Sequence, residues 1–362
     1  DLSINPNQPS MGAYFTSPSA VNDAVMTMYG YMSTQRCLGA SGSKTTIIRS
    51  DEASSNSDYG KPGMFGADLN ASYYTIEQPY TLMYTTASQA SYIIETAPSV
   101  DFSGNEELRN AYMGEAYFWR AFAHYYLLIN FRNISPIRQM PRNGDDYVRP
   151  LEKPAAVWNF IQEDLAHAKE LLPVKGYWDS KNAGRVTKAS AAALLGKAYL
   201  YRSGIEQYYG EDKTTFYSEA AKEFGDVIDG KYGTYDLTKN YADNFDVAHE
   251  NNEESILEFQ FLGDVDNAGF NPGLATSGLA FDSRGLMLPG AGVGYEGVVH
   301  NWLYNAFVNS IDKDGYTDIR MFSTMIFNDL DASIHLRNDA GGNPVRLEGP
   351  GGYKWEELYP AK

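Results

Sequence analysis

Residues 106–131 read EELRNAYMGEAYFWRAFAHYYLLINF. Ala116, Trp119, Ala123, Tyr126 and Leu127 recur at steps of three and four, which puts them on one face of a buried helix. Alanines between the large rings let neighbouring helices approach closely, as stacked helical hairpins require. One cation, Arg120, sits among the aromatics, and the stretch runs through Asn130-Phe131 and a polar turn into Ser135-Pro136-Ile137.

Outward from this helix the same periodicity returns on both sides. A first helix is expected over 17–34, with Ser17 as N-cap and Pro18 as its first residue. A second is expected over 79–96, the quoted one over 105–130, and further ones over 155–172, 187–202 and 214–229. Leu195-Gly196 and Tyr199, followed by Ala220 and Phe224, follow a tetratricopeptide rhythm of Gly and Tyr on one helix and Ala and Phe on the next. Their separation is stretched, so 203–213 reads as an inserted loop. Residues 39–71 and 263–297 are rich in Gly, Ser, Asn and Pro and read as long irregular segments. Between them, 252–261 reads as a polar turn running into an alternating strand, and 299–310 as a short helix.

The order of residues resembles the SusD/RagB family of outer-membrane glycan-binding lipoproteins. Gly114, Glu115, Ala116, Phe118, Arg120, Ala121, Tyr125, Leu128, Phe131 and Pro136 fit its G-E-A-x-F-x-R-A-x-x-Y-x-x-L helix with the following aromatic, turn and proline. Gly184-Arg185-Val186-Thr187-Lys188 with Ala192, Leu195, Lys197, Tyr199, Leu200 and Tyr201 resembles a second signature. Asn252-Glu253-Glu254-Ser255-Ile256-Leu257-Glu258-Phe259-Gln260-Phe261 resembles a third. Asp314 to Met321 resembles the D-G-x-x-D-P-R-x turn, with Ile319 at the usual proline. The resemblance implies a mainly α fold: a tetratricopeptide-like scaffold, a right-handed array of helix pairs, with long irregular insertions and a few short strands. It implies one body over 1–362, with a helical scaffold at 17–230 carrying the loop 39–71, and a loop-rich, strand-containing region at 231–362. Beyond about Phe327 the match thins, and the family's terminal helices are expected to be missing. The first residue, Asp1, is neither a methionine nor the start of an apolar signal stretch, so the chain reads as a mature or trimmed form. The resemblance implies membrane attachment only through a lipid on an N-terminal cysteine; that cysteine is expected to be absent from this chain, and Cys37 sits too far in to replace it.

Composition narrows the chemistry. The 29 basic residues against 46 acidic ones give a net charge of −17 without a basic cluster, which argues against nucleic-acid binding. No apolar run of membrane-spanning length occurs. Cys37 is the single cysteine, so an internal disulfide and a Cys-based zinc site are both excluded. His124, His167, His249, His300 and His335 lack ligand spacing, and His124 reads as a packing histidine. Asp312-Lys-Asp314-Gly315 lacks the remaining ligands of an EF-hand and reads as a polar turn. Residues 292–297 spell G-x-G-x-x-G, but no strand–turn–helix context surrounds it. No G-x-S-x-G elbow is present. Forty-six acidic residues make carboxylate pairs inevitable and uninformative about glycoside hydrolysis. No catalytic residue, metal ligand or cofactor is assigned.

The remaining signal is aromatic: 28 Tyr, 17 Phe and 5 Trp. Rings stack on the C–H faces of sugars, while Asp, Asn and Arg bond their hydroxyls. Asp51, Asn56, Tyr59, Phe65 and Tyr74 in and after the first long loop, with Phe281, Arg284, Tyr295 and Trp302 in and after the second, are the candidate glycan-binding residues. The resemblance implies non-catalytic binding of oligo- or polysaccharide at the outer-membrane surface and delivery to a SusC-like TonB-dependent transporter. The competing readings are a polysaccharide hydrolase and a helical-repeat scaffold that binds peptide in its groove.

Overall fold

The expected start of the first helix is met atom by atom in a computed structural model of the chain. Ser17 accepts a hydrogen bond from the Ala20 N–H, and Pro18 opens helix α1 (Pro18–Ser33). The structure describes residues 15–34, 37–39, 46, 50–55, 71–140, 142, 146, 148–210, 214–245, 247–260, 296–325, 334–338 and 340–342. Five more long helices follow: α2 (Tyr74–Thr96), α3 (Glu106–Phe131), α4 (Pro154–Leu171), α5 (Lys188–Tyr209) and α6 (Tyr217–Ile228). Each packs on the next in chain order, and α1 also touches α3. Such nearest-neighbour packing is how a helical array buries a continuous core. No helix among the described residues is long and apolar enough to cross a membrane.

The tetratricopeptide contact is direct. A Cβ on Gly196 would lie 2.8 Å from the Phe224 ring, so the glycine is what lets α6 close on α5. Tyr199 stacks on Phe216 with ring centres 5.5 Å apart.

Three expectations are corrected. Helix α2 begins at Tyr74 rather than Pro79; the proline, a helix breaker in isolation, lies buried inside the helix. Helix α5 continues through 203–209 instead of looping out, and ends at Gly210 in the left-handed conformation that glycine favours. Buried Glu206 holds those extra turns, accepting hydrogen bonds from Arg132 and from the Trp158 indole N–H. Residues 256–260 form no strand; Ile256, Leu257 and Phe259 pack singly against helical cores. The strands among the described residues are β1 (Ala53–Ser55) and β2 (Glu296–Val299).

The charged residues of the quoted stretch explain the arrangement. Gly114 lets the chain at Leu172 pass against α3, since a Cβ there would meet the Leu172 backbone nitrogen at 2.9 Å. Fully buried Glu115 accepts from Arg185 Nε at 2.9 Å and Nη2 at 2.5 Å, and from the Tyr29 hydroxyl at 2.6 Å. Burial pushes the Glu115 carboxyl up, while the bonds from Arg185 and Tyr29 oppose that shift. Arg185 also donates through Nη1 to Asn22 and Asn182 and lies over the Trp178 ring. One ion pair thus joins α1, α3 and the entry to α5. Five residues later, Arg120 grips Asp164 of α4 with two bonds of 2.7 Å, and also reaches Ser91 of α2 and the Arg138 carbonyl.

His124 completes this seam. Its Nδ1 faces the Arg120 carbonyl at 2.8 Å, and its Nε2 accepts from the Ile137 N–H at 2.9 Å. A carbonyl accepts and an N–H donates, so the ring is neutral with its proton on Nδ1. Burial pulls its pKa from 6.5 down to about 3. Burial pushes the Cys37 thiol up to about 12, which leaves it an inert core residue.

Two measurements test this core. Arg185→Met strands a buried carboxylate and is expected to lower unfolding free energy by about 3–5 kcal/mol in urea titrations. The double variant Glu115→Leu/Arg185→Met should cost clearly less than the two single changes combined, and additive losses would contradict a shared ion pair. For His124 the unfolded chain takes up a proton below pH 6.5 that the folded chain refuses until about 3. Stability contributed by the neutral ring is therefore full above 6.5 and declines as pH falls, by about 1.4 kcal/mol per pH unit. Between about pH 7 and about pH 5, His124→Gln should show a smaller stability loss than the parent by about 2 kcal/mol.

Candidate functional site

The two loop regions singled out in the sequence meet along a short antiparallel ladder. Ala53 pairs with Val299 and Ser54 with Val298, then the register shifts so that Ser55 faces Glu296. The extra residue on β2 is Gly297, a residue type that accommodates a bulge without side-chain conflict. The ladder continues beyond the strands, where the His300 N–H donates to the Glu52 carbonyl at 2.9 Å. The Trp302 indole N–H donates to the Asp51 carbonyl. The glycine motif at 292–297 therefore leads into an antiparallel strand, contrary to what a dinucleotide-binding turn needs.

Helix α7 (Asn301–Asn309) follows directly. Leu303, Tyr304, Phe307 and Val308 pack towards a small second core of Met321, Phe322 and Met325 around α8 (Met321–Thr324). That spacing leaves Trp302 on the flank, with 47 % of its surface exposed. Its one polar atom is already bonded to Asp51, so the ring is pinned while offering an apolar surface beside exposed Asp51, Glu52 and His300. Ile319, at the position where the resembling family has proline, packs into the same second core.

The acidic turn at 312–315 has a cation of its own. Asp312 accepts from the Asp314 and Tyr316 N–H groups, and Arg337 bridges both carboxylates at 2.6 and 2.7 Å. The Tyr316 backbone bond and then the Arg337 guanidinium hold the Asp312 carboxyl down at about 2. The side-chain positive charge answers the pair, in keeping with a polar turn. Among the described residues no three His, Cys, Asp or Glu side chains gather in a way that could hold a metal ion.

Of the candidate residues, the structure brings Asp51 and Trp302 together through the backbone carbonyl of Asp51. Tyr74 opens α2, and only its backbone is described. Asn56, Tyr59, Phe65, Phe281, Arg284 and Tyr295 lie outside the described residues. The sequence reading missed Glu52 and His300 as the hinge of the junction. Their contact is main chain to main chain, so no side-chain pattern announces it.

A family model described as "Starch-binding associating with outer membrane" matches residues 3–200, which takes in α1 to α4 and most of α5. A SusD-like protein of Bacteroides ovatus is 29% identical over 180 residues, covering 49% of this chain and 32% of that protein. SusD-like protein P2 of Formosa agariphila is 25% identical over 265 residues, covering 71% and 49% respectively. The chain thus spans about a third to a half of the length of these curated relatives. Among solved structures, a SusD superfamily protein of Bacteroides vulgatus superposes with a TM-score of 0.67 at 22% identity, covering 86% of this chain and 61% of that one. A laminarin-binding SusD-like protein gives a TM-score of 0.56 at 24% identity, covering 67% and 51%. With more than half of its residues matched by the family model and its helical fold shared with these structures, the chain belongs to the SusD-like family.

Proposed function

We propose that this protein captures oligo- or polysaccharide at the cell surface without cleaving it, and passes it to a SusC-like TonB-dependent transporter of the outer membrane. The observation that carries the reading is the junction of the two long loops, where a pinned, half-exposed Trp302 ring lies beside exposed Asp51 and Glu52. An indole face suits the C–H surface of a pyranose, and carboxylates accept its hydroxyl protons. Candidate residues Asn56, Tyr59, Phe65, Phe281, Arg284 and Tyr295 belong to the same two loop regions and extend this surface in the proposal. The family description, starch-binding and associating with the outer membrane, supports both ligand class and location. A laminarin-binding relative and another solved with a xylogluco-oligosaccharide support the ligand class further. An open surface of this kind gains affinity by repetition along a polymer, so a single short oligosaccharide should bind weakly, around the millimolar range.

Affinity electrophoresis against laminarin, xyloglucan, starch and host glycans tests the reading, with reducing-end release followed in parallel. Retardation by at least one polysaccharide without release is expected. Trp302→Ala should weaken that retardation at least about five-fold, because stacked rings contribute on the order of 1–3 kcal/mol to comparable flat ligands. New reducing ends would instead identify a hydrolase. Retardation unchanged by Trp302→Ala and Tyr59→Ala would place the glycan surface away from the loop junction.

A further inference from the structure

The continuation of α5 past Arg202 creates a feature that the loop junction does not use. Its last two turns, the end of α3 and the start of α6 enclose an open groove of about 620 Å³. Tyr201, Tyr208, Tyr209 and Tyr217 line it, and Tyr208 and Tyr209 are 84 % and 55 % exposed. Consecutive residues on a helix point about 100° apart, so the pair cannot be explained as one buried stripe. The two rings stand nearly perpendicular, at 88° with centres 5.1 Å apart.

The polar part of this groove is rigidly built. Arg132 lies 3.9 Å from the centre of the Tyr209 ring and binds Glu206 through two bonds of 3.1 and 2.7 Å. Glu206 is fully buried and also accepts from Trp158 at 2.8 Å. Arg132 is the centre of a γ-turn of the rare positive-φ type, with φ 59°, ψ −60° and the Asn133 N–H bonded to the Phe131 carbonyl at 2.7 Å. A non-glycine residue held there carries strain that the surroundings must impose. Between two lining residues, Trp158 and Tyr201, sits buried Tyr125, whose hydroxyl has no hydrogen-bond partner among the described residues. None of these groups belongs to the loop junction.

We propose that this groove is a second saccharide-binding site, selective for a neutral pyranose. Among the described lining residues the charged ones are Arg132 and Glu206, which pair with each other and so offer little to select an acidic sugar. A chair-shaped ring presents a C–H face and an equatorial hydroxyl edge at once. Tyr208, 84 % exposed, offers an aromatic platform for the C–H face, while Tyr209, with Arg132 over its ring, offers its phenolic edge to the hydroxyls. Arg132, fixed by its buried carboxylate, and the exposed Asn130 at the rim supply the polar contacts. The proposal extends the carbohydrate-capture reading to a separate surface: a polymer held at both places would gain by linkage.

The test labels the full chain with 3-fluorotyrosine and follows its fluorine resonances, those of Tyr208 and Tyr209 being assigned from Tyr208→Phe and Tyr209→Phe. Maltohexaose, laminarihexaose, a xyloglucan oligosaccharide, hexagalacturonate and decaproline are titrated separately. At least one neutral oligosaccharide should shift both resonances saturably, with an affinity at least ten-fold above that for hexagalacturonate. The shift should persist in Trp302→Ala, and Tyr208→Ala should weaken it at least ten-fold. Tyr208 is exposed enough for that change to leave the fold intact, which circular dichroism checks. Persistence in Trp302→Ala separates this site from the loop junction, so either can fail alone. Saturation by decaproline or hexagalacturonate in place of the neutral sugars, or no saturable shift with any probe, would overturn the proposal.

Discussion

A carboxylate buried in the middle of a helix cannot stay without a partner, and Glu115 therefore dictates where Arg185 must be. The two residues lie 70 positions apart, and their meeting fixes how α1, α3 and the start of α5 cross. Desolvating both ions offsets much of their attraction, so the pair adds little net stability over an apolar alternative. Its value lies in exclusivity: any other packing of these helices would leave a charge in the core. Arg120 applies the same logic to α2 and α4, and the neutral His124 carries it on to the chain after Pro136.

These contacts show why the helical part was legible in the sequence. The signature residues are the contact residues: Gly114 admits Leu172, Glu115 takes Arg185, and Gly196 admits Phe224. The signatures also meet one another. Gly184, at φ +80°, lies against the Glu258 carbonyl, and Ser190 donates to the Ile256 carbonyl. That contact explains the failed strand expectation for 256–260: the alternating pattern is real, but the segment's partners are helix ends rather than another strand. The longer α5 was missed for a related reason. The stretched spacing from Gly196 to Ala220 reads as an inserted loop, yet the added residues prolong the helix: Ser203 bonds back to the Tyr199 carbonyl, and Glu206 accepts from Arg132 at the end of α3 and Trp158 of α4.

The loop junction obeys different rules. Asp51 and Trp302 are separated by 251 residues, and their link runs through a backbone carbonyl. No residue type at position 51 encodes such a bond, so composition pointed to the two loops while the register between them stayed hidden. The aromatic count was similarly ambiguous until burial divided it. Trp119 and Trp158 are core, whereas Trp302 and Tyr208 face outward.

The way Trp302 is held also bears on how such a protein diversifies. Its anchor is a main-chain oxygen, which every amino acid supplies. Mutation at position 51 can therefore change the chemistry beside the indole, from acid to amide to hydroxyl, while the indole keeps its mooring. The loop's side chains can thus vary one at a time without a new way to hold the loop being needed first.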